Sequence, residues 1–240
     1  MNSTVYLKID RVDEQTCALA RTVSVADLHE ALGGVAGRQA MMSPAMRPLL
    51  AGLRIAGPAT TAFCAPGDNL MMHRALYLAR KGDVLVVQAP NSGAQWGDMA
   101  AYYAKLKGIE GIVVDGHIRD TNELAELRSP VWATTIGPSS PQKSGHGLVN
   151  APIVCAGARV EPGDLIVADG DGVIAVPRAL AAEAVATALA RMQREETSRK
   201  EIAAGAHPWF LHGCEENYRK LQVREIDASW HAVQLLGAEK

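Results

Sequence analysis

Cysteine is scarce in this chain. Four occur in 240 residues, Cys17, Cys64, Cys155 and Cys214, far apart and without a CxxC pair. That usage reads as reduced, mostly buried thiols in a cytoplasmic protein. Excess charge of either sign is missing too. Twenty-four Lys and Arg stand against 26 Asp and Glu, a net of -2, which removes the electrostatic reason to expect nucleic acid or an anionic membrane as a partner. No apolar run approaches the roughly 20 residues that span a bilayer. The N-terminus, Met1 to Asp10, lacks a basic start followed by an apolar block, so no signal peptide is expected there.

Several catalytic signatures are also absent. His29, His73, His117, His146, His207, His212 and His231 form no HxxxH or HxH spacing, so the histidines do not suggest zinc. There is no G-x-S-x-G elbow, P-loop or dinucleotide-binding fingerprint. Gly145-His146-Gly147 is too short to count as one and reads as a flexible loop.

What is present is a hydrophobic fraction of 48% with many alanines and only two phenylalanines. This suits one compact domain of about 150–200 residues plus an appendage, with the boundary expected between 177 and 178. Val23 to Leu32 reads as a helix capped by Ser24 and stopped by Gly33-Gly34. Leu53 to Ala65 reads as extended and ends in the turn cluster Pro66-Gly67-Asp68-Asn69. Asn69 to Ala79 is helical, and Asp83 to Val87 is a strand. A small-residue loop, Ala89 to Gly97, leads to a helix from Asp98 to Lys107. Gly111 to Gly116 is a strand, Asp120 to Leu127 a short helix, Val131 to Ile136 a strand, and Pro138 to Gly147 a loop. Ile153 to Val176 is expected to hold two or three short strands. Helices and strands that alternate and then give way to β structure argue for a mixed α/β domain rather than a doubly wound sheet. Arg178 to Ala204 reads as a long helix with Leu180, Val185, Leu189 and Met192 as its apolar stripe. A tail with Trp209 and Trp230 follows, and its apolar residues would find cover on a neighbouring subunit.

The candidate chemistry centres on Gly97-Asp98 and Arg119-Asp120. Twenty residues separate Asp98 from Arg119, and a helix and an apolar strand fill the gap. Two consecutive βα turns would therefore present a carboxylate beside an Arg-Asp pair. Asp120 can be read as a helix cap completed by Glu123, or as an oxygen ligand for a hard cation such as Mg²⁺, which often takes only one or two protein carboxylates. Arg119 can be a surface ion-pair residue, or a planar fork for a carboxylate or enolate. Asp98 can simply start its helix. Alternatively, Gly97 lets a ligand approach, and the N–H groups of Asp98, Met99 and Ala100 face an anion at the helix N-terminus.

As an ordered set, certain segments between Leu53 and Val176 resemble the RraA-like family, most closely its aldolase branch. They are Pro66-Gly67-Asp68-Asn69, Gly82 to Val87, Gly97-Asp98, Gly108 to Gly111, Val114-Asp115-Gly116, Arg119-Asp120-Thr121, Pro152 to Gly157, Pro162-Gly163-Asp164 and Val167-Ala168-Asp169. The resemblance implies a swivelling β/β/α sandwich with mixed sheets and a long C-terminal helix plus tail, assembled as a homotrimer or homohexamer. It implies Mg²⁺ or Mn²⁺ at the residue matching Asp120 and a pyruvate-contacting arginine at Arg119. The loop that cradles pyruvate matches Gly97, Asp98, Met99 and Ala100, with Met99 where leucine is common. An acid that reaches a neighbouring subunit's site matches Glu195. The loop Gln88 to Trp96 departs from the aldolases.

The implied reaction is metal-dependent cleavage of 4-hydroxy-4-methyl-2-oxoglutarate or 4-carboxy-4-hydroxy-2-oxoadipate, with oxaloacetate decarboxylation as a side activity. The small-molecule partner is then an oxo acid, with neither nucleic acid nor membrane. Other members of the family are regulators that bind and inhibit an RNA-degrading endonuclease. They tend to end before the long helix and tail, both of which this chain has.

Overall fold

The computed structural model describes residues 3–89 and 93–231. A short strand β1 (Thr4–Val5) precedes three helices, α1 (Glu14–Ala20), α2 (Val25–Leu32) and α3 (Gly34–Ala40). Side chains start the first two: Asp13 accepts from the Thr16 N–H and Ser24 from the Asp27 N–H. The expected Ser24 cap is therefore in place. Gly33 does end α2, with φ +71°, but Gly34 opens α3 at once instead of prolonging the break.

After β2 (Arg47–Pro48) comes the alternating core of the chain. It runs β3 (Ile55–Cys64), α4 (Leu70–Leu78), β4 (Val84–Gln88), β5 (Ala94–Trp96), α5 (Asp98–Lys107), β6 (Gly111–Ile118), α6 (Thr121–Glu126) and β7 (Val131–Ile136). Four short strands follow β8 (Gly147–Val149): β9 (Ile153–Cys155), β10 (Ala158–Val160), β11 (Leu165–Ala168) and β12 (Val173–Val176). The chain then turns helical, with a 3₁₀ turn at Arg178–Leu180, α7 (Ala181–Ala203), α8 (Pro208–Leu211) and α9 (Cys214–Lys220).

The parallel strands β3, β4, β6 and β7 lie side by side in chain order. Crossovers of one hand between successive parallel neighbours place all their helices on one face. Met72, Ala75 and Leu76 of α4, Ala101 and Ala104 of α5, and Leu124 of α6 accordingly share one core with Leu85, Val87, Ile112 and Val114. The other side chains of the same strands, Val84, Val86 and Val113, enter a second core with Ile153, Cys155, Val160, Ile166 and Val173. The unbroken apolar runs in β4 and β6 thus reflect burial on both faces, by helices on one side and β structure on the other. β3 joins the layers. Ala59 to Phe63 pair with β4, whereas Ile55 to Pro58 pair antiparallel with β11, which continues into β12. The result is the expected mixed α/β sandwich.

Two segments differ from expectation. Ile153 to Val176 holds four strands because Ala156 and Gly157, both at positive φ (45° and 89°), close a two-residue hairpin between β9 and β10. That turn ordinarily advertises itself with Asn-Gly or Asp-Gly, and Ala-Gly does not. The segment Ala89 to Gly97 is not all loop, since β5 pairs in parallel with β6; residues 90–92 lie outside the described residues.

Two compact units divide at Met192/Gln193, beyond the boundary expected after residue 177. The reason is burial: Ala181, Ala184, Val185 and Ala188 belong to the core of the first unit, with Leu189 and Met192 packed against it. Leu180, placed in the apolar stripe by its spacing, is 43% exposed because it sits in the 3₁₀ turn. In the second unit Trp209 meets Tyr218 edge to face at 5.4 Å and donates to Glu215 Oε2 at 2.6 Å. Phe210, Leu221, Ile226 and Trp230 are exposed there, and the end of the tail, 232–240, lies outside the described residues. Cys17, Cys64 and Cys155 are free and buried, and burial pushes the Cys17 thiol up to about 11 and the Cys64 thiol to about 12, so both are protonated at neutral pH. Among the described residues no helix is long and apolar enough to cross a membrane.

Candidate active site

Register brings the two βα turns together. β5 and β6 run parallel with Trp96 opposite Ile118, and the Arg119 N–H donates to the Trp96 carbonyl at 2.9 Å. The next residues on each strand, Gly97 and Arg119-Asp120, must therefore emerge side by side at the C-terminal edge. That edge is where open α/β sheets bind ligands. Gly97 is backbone-extended, and the reason for glycine is proximity: a Cβ there would collide with Asp120 Oδ2.

The capping reading of Asp120 does not hold. The residue occupies the N-cap position of α6, but its φ and ψ of 56° and 44° are left-handed, and its side chain makes no capping bond. The expected box with Glu123 does not form, because that backbone turns the carboxylate away from the N–H groups of α6. Instead Oδ2 accepts the Asp98 N–H at 3.3 Å and lies 3.3 Å from Arg119 Nε. Oδ1 has no hydrogen-bond partner among the described residues. A non-glycine residue held left-handed costs roughly 1–2 kcal/mol, and such strain concentrates where a side chain must be aimed.

Asp98 begins α5, and its Oδ1 accepts the Met99 N–H at 2.7 Å. Two of the three N–H groups expected to cradle an anion are thus engaged by carboxylates of the site itself, and that of Ala100 has no such partner among the described residues. Met99 is 75% exposed, at the mouth. Arg119 is partly exposed and keeps its guanidinium beside Asp120.

These residues line a cleft of about 200 Å³ together with Asn69, His73, Gln95, Pro141 and Lys143. The sequence reading missed this second group. Gln95 is buried, donates to the carbonyls of Asp68 and Gly93, and leaves its Oε1 without a partner. Asn69 Oδ1 is likewise buried and unpartnered. Burial, helped by the Lys143 charge, holds the His73 imidazole below its ordinary value and hence neutral at pH 7. Lys143 arrives on the loop after β7. Asp68 ties that loop down, accepting the Ser144 and Gly145 N–H groups at 2.6 and 2.7 Å. The signal that could have found these residues was the Asp68-Asn69 turn at the head of α4. The cleft carries two cations, Arg119 and Lys143, and two carboxylates, Asp98 and Asp120. It suits an anionic ligand bound next to a cation.

All the residues lining this cleft belong to the first unit. Glu195 belongs to the second, where Arg199 approaches it at 3.8 Å across one helical turn.

The donor set fits Mg²⁺ or Mn²⁺ bound through few protein oxygens. Among the described residues no three His, Cys, Asp or Glu side chains cluster, which does not match a closed zinc site. A single carboxylate with an open oxygen, on a residue that lines the cleft, matches a hard cation that keeps most of its waters.

Comparison with known proteins agrees with the fold. A family model described as RraA-like, Aldolase/RraA, matches residues 25–175. A Halalkalibacterium halodurans protein, named provisionally as a 4-hydroxy-4-methyl-2-oxoglutarate aldolase, is 36% identical over 187 residues, covering 76% of this chain and 86% of its own. A Burkholderia mallei protein with the same provisional name is 38% identical over 161 residues, 66% of this chain and 96% of its own. Among solved structures, Streptomyces coelicolor RraAS2, described as an unusual member of the RNase ES inhibitor RraA family, superposes with a TM-score of 0.72. It is 36% identical, and the match covers 80% of this chain and 99% of that one.

Proposed function

This chain belongs to the RraA-like family, and on that premise we propose that it is a divalent-metal-dependent pyruvate aldolase. Its substrate is 4-hydroxy-4-methyl-2-oxoglutarate or 4-carboxy-4-hydroxy-2-oxoadipate, cleaved to pyruvate plus pyruvate or oxaloacetate. One observation carries the reading: Asp120 is held left-handed with its carboxylate off its own helix, beside Arg119 and the Asp98 N–H, in an anion-compatible cleft.

Asp120 would hold the Mg²⁺ or Mn²⁺, with water completing its shell; when bound, the cation supplies positive charge beside the oxygen that becomes the enolate. Arg119 offers a planar set of donors to the keto-acid carboxylate and to that same oxygen. Removal of the C4 hydroxyl proton turns C4 into a carbonyl, the C3–C4 bond breaks, and its electron pair becomes the pyruvate enolate. A water held by Asp98 returns a proton to C3, giving the methyl group of pyruvate. Decarboxylation of oxaloacetate leaves the same enolate, so it belongs to the same site. The acceptor of the hydroxyl proton is either a water at the cation or Glu195, reaching a neighbouring subunit's cleft in a homotrimer or homohexamer.

The direct test follows pyruvate release from both substrates with Mg²⁺ and after chelation. Release that stops with chelator and returns with Mg²⁺ or Mn²⁺ is expected; full activity after exhaustive metal removal overturns the proposal. A second test uses Gly97→Ala, whose new methyl would meet Asp120 Oδ2. It should lower kcat/KM by about tenfold or more, some 1.4 kcal/mol per decade, while the chain stays folded by thermal melting. Wild-type kcat/KM would show that the Gly97–Asp120 contact has no part in activity. For Glu195, chains carrying Asp120→Ala and chains carrying Glu195→Ala, each inactive alone, should regain part of the activity when co-assembled. Mixed oligomers that stay inactive remove Glu195 from the site.

A second reading has its own support, because the solved Thermus thermophilis RraA is described as an RNA-processing inhibitor and Streptomyces coelicolor RraAS2 as an unusual member of the RNase ES inhibitor RraA family. On that reading the chain binds and restrains an RNA-degrading endonuclease. Inhibition of such a nuclease that survives Asp120→Ala, with no pyruvate released by the wild type, would favour it over the aldolase.

A further inference from the structure

Behind the cleft lies a second cavity of about 220 Å³, under α5 and beside the turn that follows α6. Its walls are apolar: Ala101 and Ala104 from α5, Ile109, Ile112 of β6, and Leu127. The cavity is partly open to solvent, and a cavity of ~150 Å³ with apolar walls is enough to take up benzene. The space exists because α5 presents alanines where bulkier residues would fill the gap to α6. Two further observations concern its chemistry. Lys105 and Arg128 are the charged residues lining it, with no acid among the lining residues, and Lys105 Nζ donates to the Leu127 carbonyl at 3.3 Å. Trp96, 2% exposed, is the residue common to this cavity and the cleft, and its indole N–H is buried without an acceptor.

We propose that this cavity is a binding site for a small aromatic carboxylate, with the ring between the α5 alanines and Ile112 and the carboxylate facing Lys105 and Arg128. Charge selects the occupant within the apolar volume: a neutral ring of the same size would gain the walls but no attraction to the two cations. The site is separate from the catalytic cleft, and the proposal stands whether or not the aldolase reading does.

The experiment is calorimetric titration of the full chain with benzoate, repeated with benzyl alcohol as the neutral counterpart. Saturable binding of one benzoate per chain is expected, at least tenfold tighter than benzyl alcohol. Ala104→Leu fills the cavity and should abolish binding without lowering the thermal midpoint. Arg128 has φ 50°, so Arg128→Gly removes the cation in a conformation glycine accepts and should weaken benzoate tenfold while leaving benzyl alcohol unchanged. Arg119→Lys, in the other cleft, should leave benzoate binding as it was. The proposal is overturned by absence of saturable binding, by equal affinity for the two probes, by benzoate binding that survives both cavity variants, or by its loss in Arg119→Lys.

Discussion

Asp120→Asn is expected to abolish pyruvate release while leaving the fold intact. Asparagine keeps an oxygen that can accept the Asp98 N–H, and it tolerates the left-handed backbone better than most residues. No capping bond is lost, since none is made. What disappears is the negative charge next to the site proposed for the cation. Even residues that only support a metal ligand cost about 10–100-fold when changed, so loss of the ligand itself should exceed roughly 100-fold in kcat/KM. Calorimetric titration with Mg²⁺ should show the matching loss of affinity. Circular dichroism melting should place the variant near the wild type, because substitutions away from caps and cores stay within about 0.5 kcal/mol. Near-normal turnover with normal Mg²⁺ affinity would remove Asp120 from the chemistry. Unfolding of the variant would assign the residue to structure.

Arg119→Lys should cost about 30- to 1,000-fold in kcat/KM, corresponding to about 2–4 kcal/mol of transition-state stabilisation. Lysine preserves the charge, so an enzyme needing only attraction would be nearly unaffected. It cannot present two parallel N–H groups to a carboxylate or enolate. The guanidinium is held in place by the Asp120 contact at 3.3 Å and by the backbone bond from Arg119 N to the Trp96 carbonyl, and only the first depends on the side chain. The sharper readout separates the constants. A drop in kcat with little change in KM means the fork acts mainly in the transition state, and a rise in KM alone means it only binds the ground state. Wild-type kcat/KM in the lysine variant would sink the assignment.

Much of the fold is legible in local pattern. The continuous apolar runs Val84 to Val87 and Ile112 to Val114 announce strands buried on both faces, and α5 begins and ends where Gly97 and Gly108 say it should. Ser24 caps its helix as its position before an apolar repeat requires. These features depend on neighbours within a turn or two of chain, which is why composition and period reveal them. The Ala156-Gly157 hairpin escaped because its backbone is set by pairing between β9 and β10 and not by a residue that prefers the turn. Leu180 escaped because helical spacing cannot show that a chain is still in a 3₁₀ turn.

The residues at the cleft divide in the same way. The sequence determined that Gly97-Asp98 and Arg119-Asp120 occupy successive βα turns, because strand and helix periods bracket them. Only the tertiary structure decided what that placement means. The register of β5 on β6 sets Gly97 against Asp120, and the left-handed backbone of Asp120 withdraws its carboxylate from the cap that spacing allowed. Asn69, His73, Gln95 and Lys143 join the cleft from segments far apart in the chain, held partly by Asp68 gripping the loop after β7. Such contacts are fixed by strand register and by which backbone N–H groups a buried carboxylate can reach, and neither leaves a periodic trace in the amino-acid order.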